Sequence, residues 1–310
     1  MTPAPVLYIG GWGRSGSTLL SHLLGELDGM VSVGELRYVW QAGPAANELC
    51  GCGRQFADCE FWQAVGREAF GGWEHVDVDE VLELEADVLR HRNIPLLALP
   101  RLFPAHAAKV GRYAELTGRL YEAILTVSGA HTVVDSTKNP PYAYFLRRAP
   151  GVRLRVLHLV RDSRGVVHSW MKKVERPEIT GDAAFFEEFS PWKAGIRWME
   201  CNLAFDVLRL RTPTVRMRYE ALAAEPAAEV ARAMRMLGEN VDVSSLTGGS
   251  VETSGQHSVR GNPMRFAHGR QRVKADEAWR REMAPPVRRA VLALTWPLLW
   301  RYGYLRGRHV

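Results

Sequence analysis

Val6 to Thr18, VLYIGGWGRSGST, is an apolar run that ends abruptly in Gly10, Gly11, Gly13 and Gly16, and it predicts a buried strand, a glycine turn and a helix. The helix continues through Leu19, Leu20, Leu23 and Leu24. Glycines let the backbone turn tightly and approach a ligand, while the free N–H groups of Ser15, Gly16, Ser17 and Thr18 and the positive end of the helix dipole face one point. That point is an anion site. A strand-turn-helix corner with glycines for packing alone is the plainer alternative.

The spacing Gly11-x-x-x-x-Gly16 followed by Ser17-Thr18 is nearly a phosphate-binding P-loop, but Ser17 stands where the ATP-type motif carries its lysine. Arg14 supplies the loop's cation instead. The missing lysine argues against ordinary ATP or GTP hydrolysis.

Working outward, Met30–Trp40 (MVSVGELRYVW) predicts a second short strand stopping at Gly34 and Glu35, which sets a carboxylate at a strand end. Ligands of open parallel sheets gather beyond those ends. His131–Ser136, Leu154–Val160 and Thr214–Tyr219 predict strands three to five. Lys138 stands just past the third, Pro140 and Pro141 open a helix, and Arg161 follows the fourth, where an ATPase would place a magnesium-organising acid. The repeated strand, polar turn and helix predict an α/β fold with a central parallel sheet and helices on both faces.

Between strands two and three, residues 60–128 carry helical periodicity, for example Val81, Leu84, Val88, Leu116, Leu120 and Ile124. They predict a helical insertion, broken into two parts by Pro95, Pro100 and Pro104, that serves acceptor selectivity. Residues 244–271 form a polar loop rich in Gly, Ser, His and Arg, followed by a charged helical run from Lys274 to Met283.

Composition sets wide bounds. The 310 residues, 46% hydrophobic and 24% charged, suit one large α/β domain spanning 1–310. A net charge of +6 and a pI near 9.3, carried by arginine far more than lysine, suit anionic ligands. No basic tract with interleaved aromatics suggests nucleic acid. No targeting or spanning segment is evident, so a cytoplasmic location is expected; Trp296, Trp300, Arg301, Tyr302, Tyr304 and Arg306 leave open a peripheral membrane contact by the C-terminus. Cys50, Cys52 and Cys59 fit no standard C-x2-C zinc pattern. A Cys52–Cys59 disulfide and a metal knuckle stay open, with a reduced, glycine-bent loop the expectation. Cys201 reads as core.

The Arg-Ser-Gly-Ser-Thr loop resembles the 5′-phosphosulfate loop of sulfotransferases that use 3′-phosphoadenosine 5′-phosphosulfate (PAPS). LVRDSRGVVHSW, with Arg161 and Ser169 eight residues apart, is similar to their 3′-phosphate motif. The two in this order point to that family, nearest its tyrosylprotein, carbohydrate and bacterial members, and imply a three-layer P-loop-like fold. The resemblance of VGELR implies Glu35 as general base, with His257 and His168 as rivals. That of DSTKNPPYAYFL implies Lys138 as helper of the leaving group, beside Arg14. It carries over also to Arg37, to Trp198 and Asn202, and to Tyr219 at the end of strand five. HSVRGNPMRF resembles a loop recurrent in bacterial sulfotransferases, which makes Arg260, Gly261 and Asn262 further cofactor contacts.

The resemblance implies PAPS as donor, adenosine 3′,5′-bisphosphate (PAP) as product, no metal, and a hydroxyl acceptor that is a small molecule, a carbohydrate or a lipid-linked sugar. A P-loop-type small-molecule kinase and a non-catalytic nucleotide-binding module are the alternatives.

Overall fold

The computed structural model describes residues 3–99, 102–173, 187–253, 255–266 and 269–305; Pro100 and Arg306 lie outside them. Strand β1, Ala4–Gly11, is buried almost throughout, with Val6 and Tyr8 in one core and Leu7 and Ile9 in another. A strand covered on both faces reads as a continuous apolar run, which is why the opening stretch shows no alternation. Helix α1, Ser17–Gly25, follows and leads to β2, Met30–Ser32.

Among the described residues the insertion, expected in two parts, holds four α-helices: α2, Glu60–Phe70; α3, Val78–Val88; α4, Ile94–Ala98; and α5, Pro104–Ser128. Pro95 and Pro104 open helices, in first-turn positions where no N–H is needed. The further breaks come from a left-handed Gly71 ending α2 and from Asp77, whose side chain caps the Glu80 amide to start α3.

Next come β3, Thr132–Lys138, α6, Pro140–Leu146, β4, Val152–Val160, and α7, Ser163–Trp170. They are followed by α8, Pro191–Leu208, β5, Thr214–Arg218, α9, Tyr219–Ala224, and α10, Pro226–Met236. β6, Ser250–Thr253, pairs antiparallel with β7, Gly269–Arg272, within the expected polar loop. The charged run after it is helical only at α11, Trp279–Glu282, before α12, Pro285–Arg301.

Five strands form one parallel sheet in the order β2-β3-β1-β4-β5. Valines and aromatics from α2, α5, α6 and α8 pack on one face with Val6, Tyr8 and Val133. Leucines of α1 pack on the other with Ile9, Val134 and Leu157, alongside α9 and α10. α12 lies over α7 and α8, burying Val291, Thr295, Leu298 and Leu299 and leaving Trp296 and Trp300 exposed. None of the described helices is long and apolar enough to cross a membrane.

Because β1 is central and its chain leaves toward β2 while β4 returns on its other side, the order reverses beside it. Such a switch point opens a crevice beyond the strands' carboxyl ends.

Candidate active site

All five strand ends deliver a side chain to one cleft of about 680 Å³: Arg14 after β1, Glu35 after β2, Lys138 closing β3, Arg161 after β4 and Tyr219 after β5. Register explains the meeting, since Gly10 sits level with Lys138 and Gly11 level with Leu159, two residues before Arg161. Gly11 has φ +132°, and a Cβ there would stand 2.3 Å from the Leu159 carbonyl, so no other residue fits between β1 and β4. The loop then turns at Gly16, φ +89°, pressed against the Tyr219 ring. No side chain caps the first turn of α1, and Gly16, Ser17, Thr18 and Leu19 line the cleft at that end. The orphan amides of a helix N-terminus therefore point into it.

β3 ends irregularly. Asp135, fully buried, accepts from the Thr137 amide at 2.8 Å, the Thr137 hydroxyl at 2.6 Å and the Tyr121 hydroxyl, and burial pushes its carboxyl up to about 6. Beyond this knot Lys138 takes φ +65°, and its ammonium donates to Glu35 Oε1 at 2.6 Å and to the Ser136 carbonyl at 2.8 Å. Of the four described non-glycine residues with positive φ, Arg14, Asn47, Lys138 and Arg260, three line the cleft. Backbone strain of this kind gathers at functional sites.

The two halves of the cleft are joined by hydrogen bonds. Arg161 Nη1 donates to the Arg14 carbonyl at 3.0 Å, and its Nη2 to the Asp276 carbonyl and carboxylate at 2.6 and 3.0 Å. Its guanidinium lies 4.6 Å over the Tyr219 ring, and its buried Nε has no hydrogen-bond partner among the described residues. Trp170, at the end of α7, donates to the Gly13 carbonyl at 3.1 Å and stacks on Trp12. Arg14, partly buried against Trp170, is lowered by desolvation, with Glu35 acting against that shift. Among the described residues, six cationic side chains line the cleft, Arg14, Lys138, Arg161, Arg197, Arg260 and Lys274, against two acidic ones, Glu35 and Asp276. Such a surface attracts an anion.

A model of the sulfotransferase family matches residues 5–242, more than three quarters of the chain and every strand end named above. The chain belongs to the sulfotransferase family. Its fold is similar to the sulfotransferase domain from the curacin biosynthetic pathway, at 15% identity and a TM-score of 0.50, covering 94% of this chain and 96% of that one. The sulfotransferase domain of the Synechococcus PCC 7002 olefin synthase aligns at 18% identity, covering 96% and 95%, with a TM-score of 0.45. No curated protein sequence matches the chain. The parallel sheet, flanking helices and glycine loop give this sulfotransferase the expected α/β, P-loop-like architecture.

Of the residues singled out from the sequence, Arg14, Gly16, Ser17, Thr18, Glu35, Lys138, Arg161, Ser169, Tyr219, Arg260, Gly261 and Asn262 line the sulfotransferase cleft. Ser15 and Trp198 are buried and do not; the Trp198 indole donates to the Arg161 carbonyl at 3.1 Å, so it supports the arginine from behind. Asn202 binds His158 at 2.9 Å in the same interior layer. Arg260 spends its fork on Glu48, at 2.5 and 3.0 Å. Arg37 lies off the cleft in an ion pair with Glu85 at 2.9 Å. His168 faces Glu282 and His257 lies among cysteines; neither lines the cleft. Tyr38, His91, Arg197, Lys274 and Asp276 also line the wall and carry no motif.

Proposed function

We propose that this sulfotransferase moves the sulfuryl group of PAPS to a hydroxyl of a small-molecule, carbohydrate or lipid-linked acceptor, with Glu35 as the base. The observation that carries the proposal is the Glu35–Lys138 pair, 2.6 Å across, at the mouth of an uncapped helix N-terminus ringed by arginines. The donor set fits the cofactor: orphan amides and Arg14 for a 5′-phosphosulfate, and Arg161 with its unpartnered Nε, together with Ser169, for a 3′-phosphate. Arg260, Gly261 and Asn262 would close over the nucleotide from the 244–271 loop, while Trp198 and Tyr219 brace Arg161.

When bound, PAPS supplies an activated sulfuryl group and departs as PAP. The chain's own residues do the rest. Lys138 holds its ammonium where it can neutralise negative charge growing on the leaving oxygen, with Arg14 opposite. As Lys138 turns toward that oxygen it releases Glu35, whose carboxylate is then free to take the acceptor's hydroxyl proton. A loose transition state makes placement and charge complementarity weigh more than nucleophile strength. The acceptor would enter from the side walled by Tyr38, Arg197 and His91, the last supplied by the helical insertion.

The kinase alternative meets two obstacles. Ser17 replaces the phosphate-reaching lysine, and Asp162 beyond β4 is occupied by Arg164, which donates to it from its amide and its guanidinium at 2.9, 2.9 and 2.6 Å. The test is incubation with sulfur-labelled PAPS and a panel of hydroxyl acceptors. Label transfer with release of PAP is expected. Phosphoryl transfer from ATP with magnesium, or PAPS binding without turnover on any acceptor, would overturn the proposal.

A further inference from the structure

Away from the cleft, three cysteines of one loop meet a histidine from the far end of the chain, and the transfer reaction uses none of them. We propose that Cys50, Cys52, Cys59 and His257 bind one structural zinc ion. Their four donor atoms all lie within 4.8 Å of one another. Cys59 Sγ is 3.7 Å from Cys50 Sγ, 3.8 Å from Cys52 Sγ and 3.2 Å from His257 Nδ1, and Cys50 Sγ is 3.8 Å from the same nitrogen. A tetrahedral zinc with Zn–S of about 2.3 Å and Zn–N of about 2.0 Å sets sulfurs about 3.8 Å apart and sulfur about 3.6 Å from nitrogen. Four of the cluster's six edges, at 3.2–3.8 Å, lie close to those values, and the other two are within 4.8 Å.

The surroundings are those of a ligand set. Phe61 stacks on the His257 ring at 4.6 Å and 11°, fixing the imidazole plane. Cys50 and Cys59 are buried. Three thiolates with one imidazole form a soft, closed set that suits zinc and leaves no position for substrate, so the ion's role is structural. Loading releases the thiol protons to solvent.

A disulfide is the competing fate for the same sulfurs. It would join two cysteines and strand the third, whereas all three are free thiols at separations far beyond an S–S bond of about 2.05 Å. The expectation of a reduced loop without a metal came from the C-x-C spacing. The sequence offered no fourth ligand beyond a distant histidine, and the fold brings His257, 198 positions from Cys59, to within 3.2 Å of its sulfur.

The site has a purpose in the fold. His257 begins the stretch whose Val259 donates to the Val33 carbonyl at 2.9 Å and accepts from the Glu35 amide at 2.8 Å, while the Gly51 amide donates to the Ser258 carbonyl at 3.0 Å. An ion would staple the cysteine loop to the strand of backbone that seats Glu35.

The test is metal analysis of the purified full chain, with zinc release on thiol modification followed by a chromogenic chelator. About one zinc per chain is expected, lost in Cys59→Ser and His257→Ala and kept in Cys201→Ser. Cobalt loaded into the stripped chain should give the intense visible bands of a tetrahedral thiolate site. A reduced wild-type chain that takes up neither zinc nor cobalt overturns the proposal, as does a Cys52–Cys59 disulfide found by mass spectrometry of the native protein. The chromophore of an iron–sulfur cluster would overturn the choice of metal. The cobalt spectrum of the wild type decides the matter even if the variants fold poorly.

Discussion

Replacing Glu35 with glutamine removes one negative charge from the pair with Lys138 but leaves an oxygen able to accept the ammonium's hydrogen bond, now 2.6 Å long. The ammonium's bond to an oxygen survives and only the attraction between two partly exposed opposite charges is lost, so the exchange should cost the fold no more than about 1 kcal/mol. In a chain of this size that lowers the melting temperature by only roughly 1–2 °C. Turnover should respond quite differently. A general base contributes about 10²- to 10⁴-fold, or about 3–5 kcal/mol of barrier, and glutamine cannot take the proton. PAP affinity should hold or rise, because the variant removes a carboxylate beside an anion site and frees Lys138 for the nucleotide. The assay pairs single-turnover transfer with calorimetry of PAP and a thermal melt. Turnover within about threefold of wild type would remove Glu35 from the role of base. Turnover and affinity falling together would mean that the residue only holds the site in shape.

Arg161→Lys keeps the charge but loses the fork, and should weaken PAP binding about 10- to 100-fold by calorimetry, since one charged hydrogen bond contributes about 1.5–3 kcal/mol. Asp276 holds the same guanidinium at 3.0 Å from a side chain that is half exposed, so Asp276→Asn should tighten PAP binding by no more than about fivefold, and weaker binding would contradict its place as a competitor. Burial pushes His158 from 6.5 down to about 4, so the unfolded chain takes up a proton that the folded one refuses. Its contribution, about 3 kcal/mol, is present above pH 6.5 and lost as pH falls toward 4; urea unfolding of His158→Gln should show a pH slope smaller by about one proton across that window, and an unchanged slope would refute the assignment.

The residues legible from sequence are those fixed by strand ends. Gly16, Glu35, Lys138 and Arg161 each follow an apolar run within a few positions, and parallel strands bring their carboxyl ends to one edge. What escaped reading depends on packing between distant segments. Arg197 reaches the cleft from a helix whose pattern reports only burial, His91 from the short turn between α3 and α4, and Asp276 meets Arg161 across 115 positions with no motif around it. Trp198 shows the limit of a motif: a helix face fixes that it turns inward, but not that its N–H is spent on the Arg161 carbonyl. The insertion's extra breaks at Gly71 and Asp77 are written in cap residues and are lost when prolines alone are taken as punctuation.

The central claim is that separate pockets grip the two ends of one nucleotide, and titration of the wild-type chain with PAP and with adenosine 5′-monophosphate tests it directly. The two ligands differ by the 3′-phosphate that Arg161 and Ser169 would hold, so PAP should bind at least about tenfold more tightly, a gap of about 1.4 kcal/mol. Equal affinities, or no heat with either nucleotide, would contradict the account.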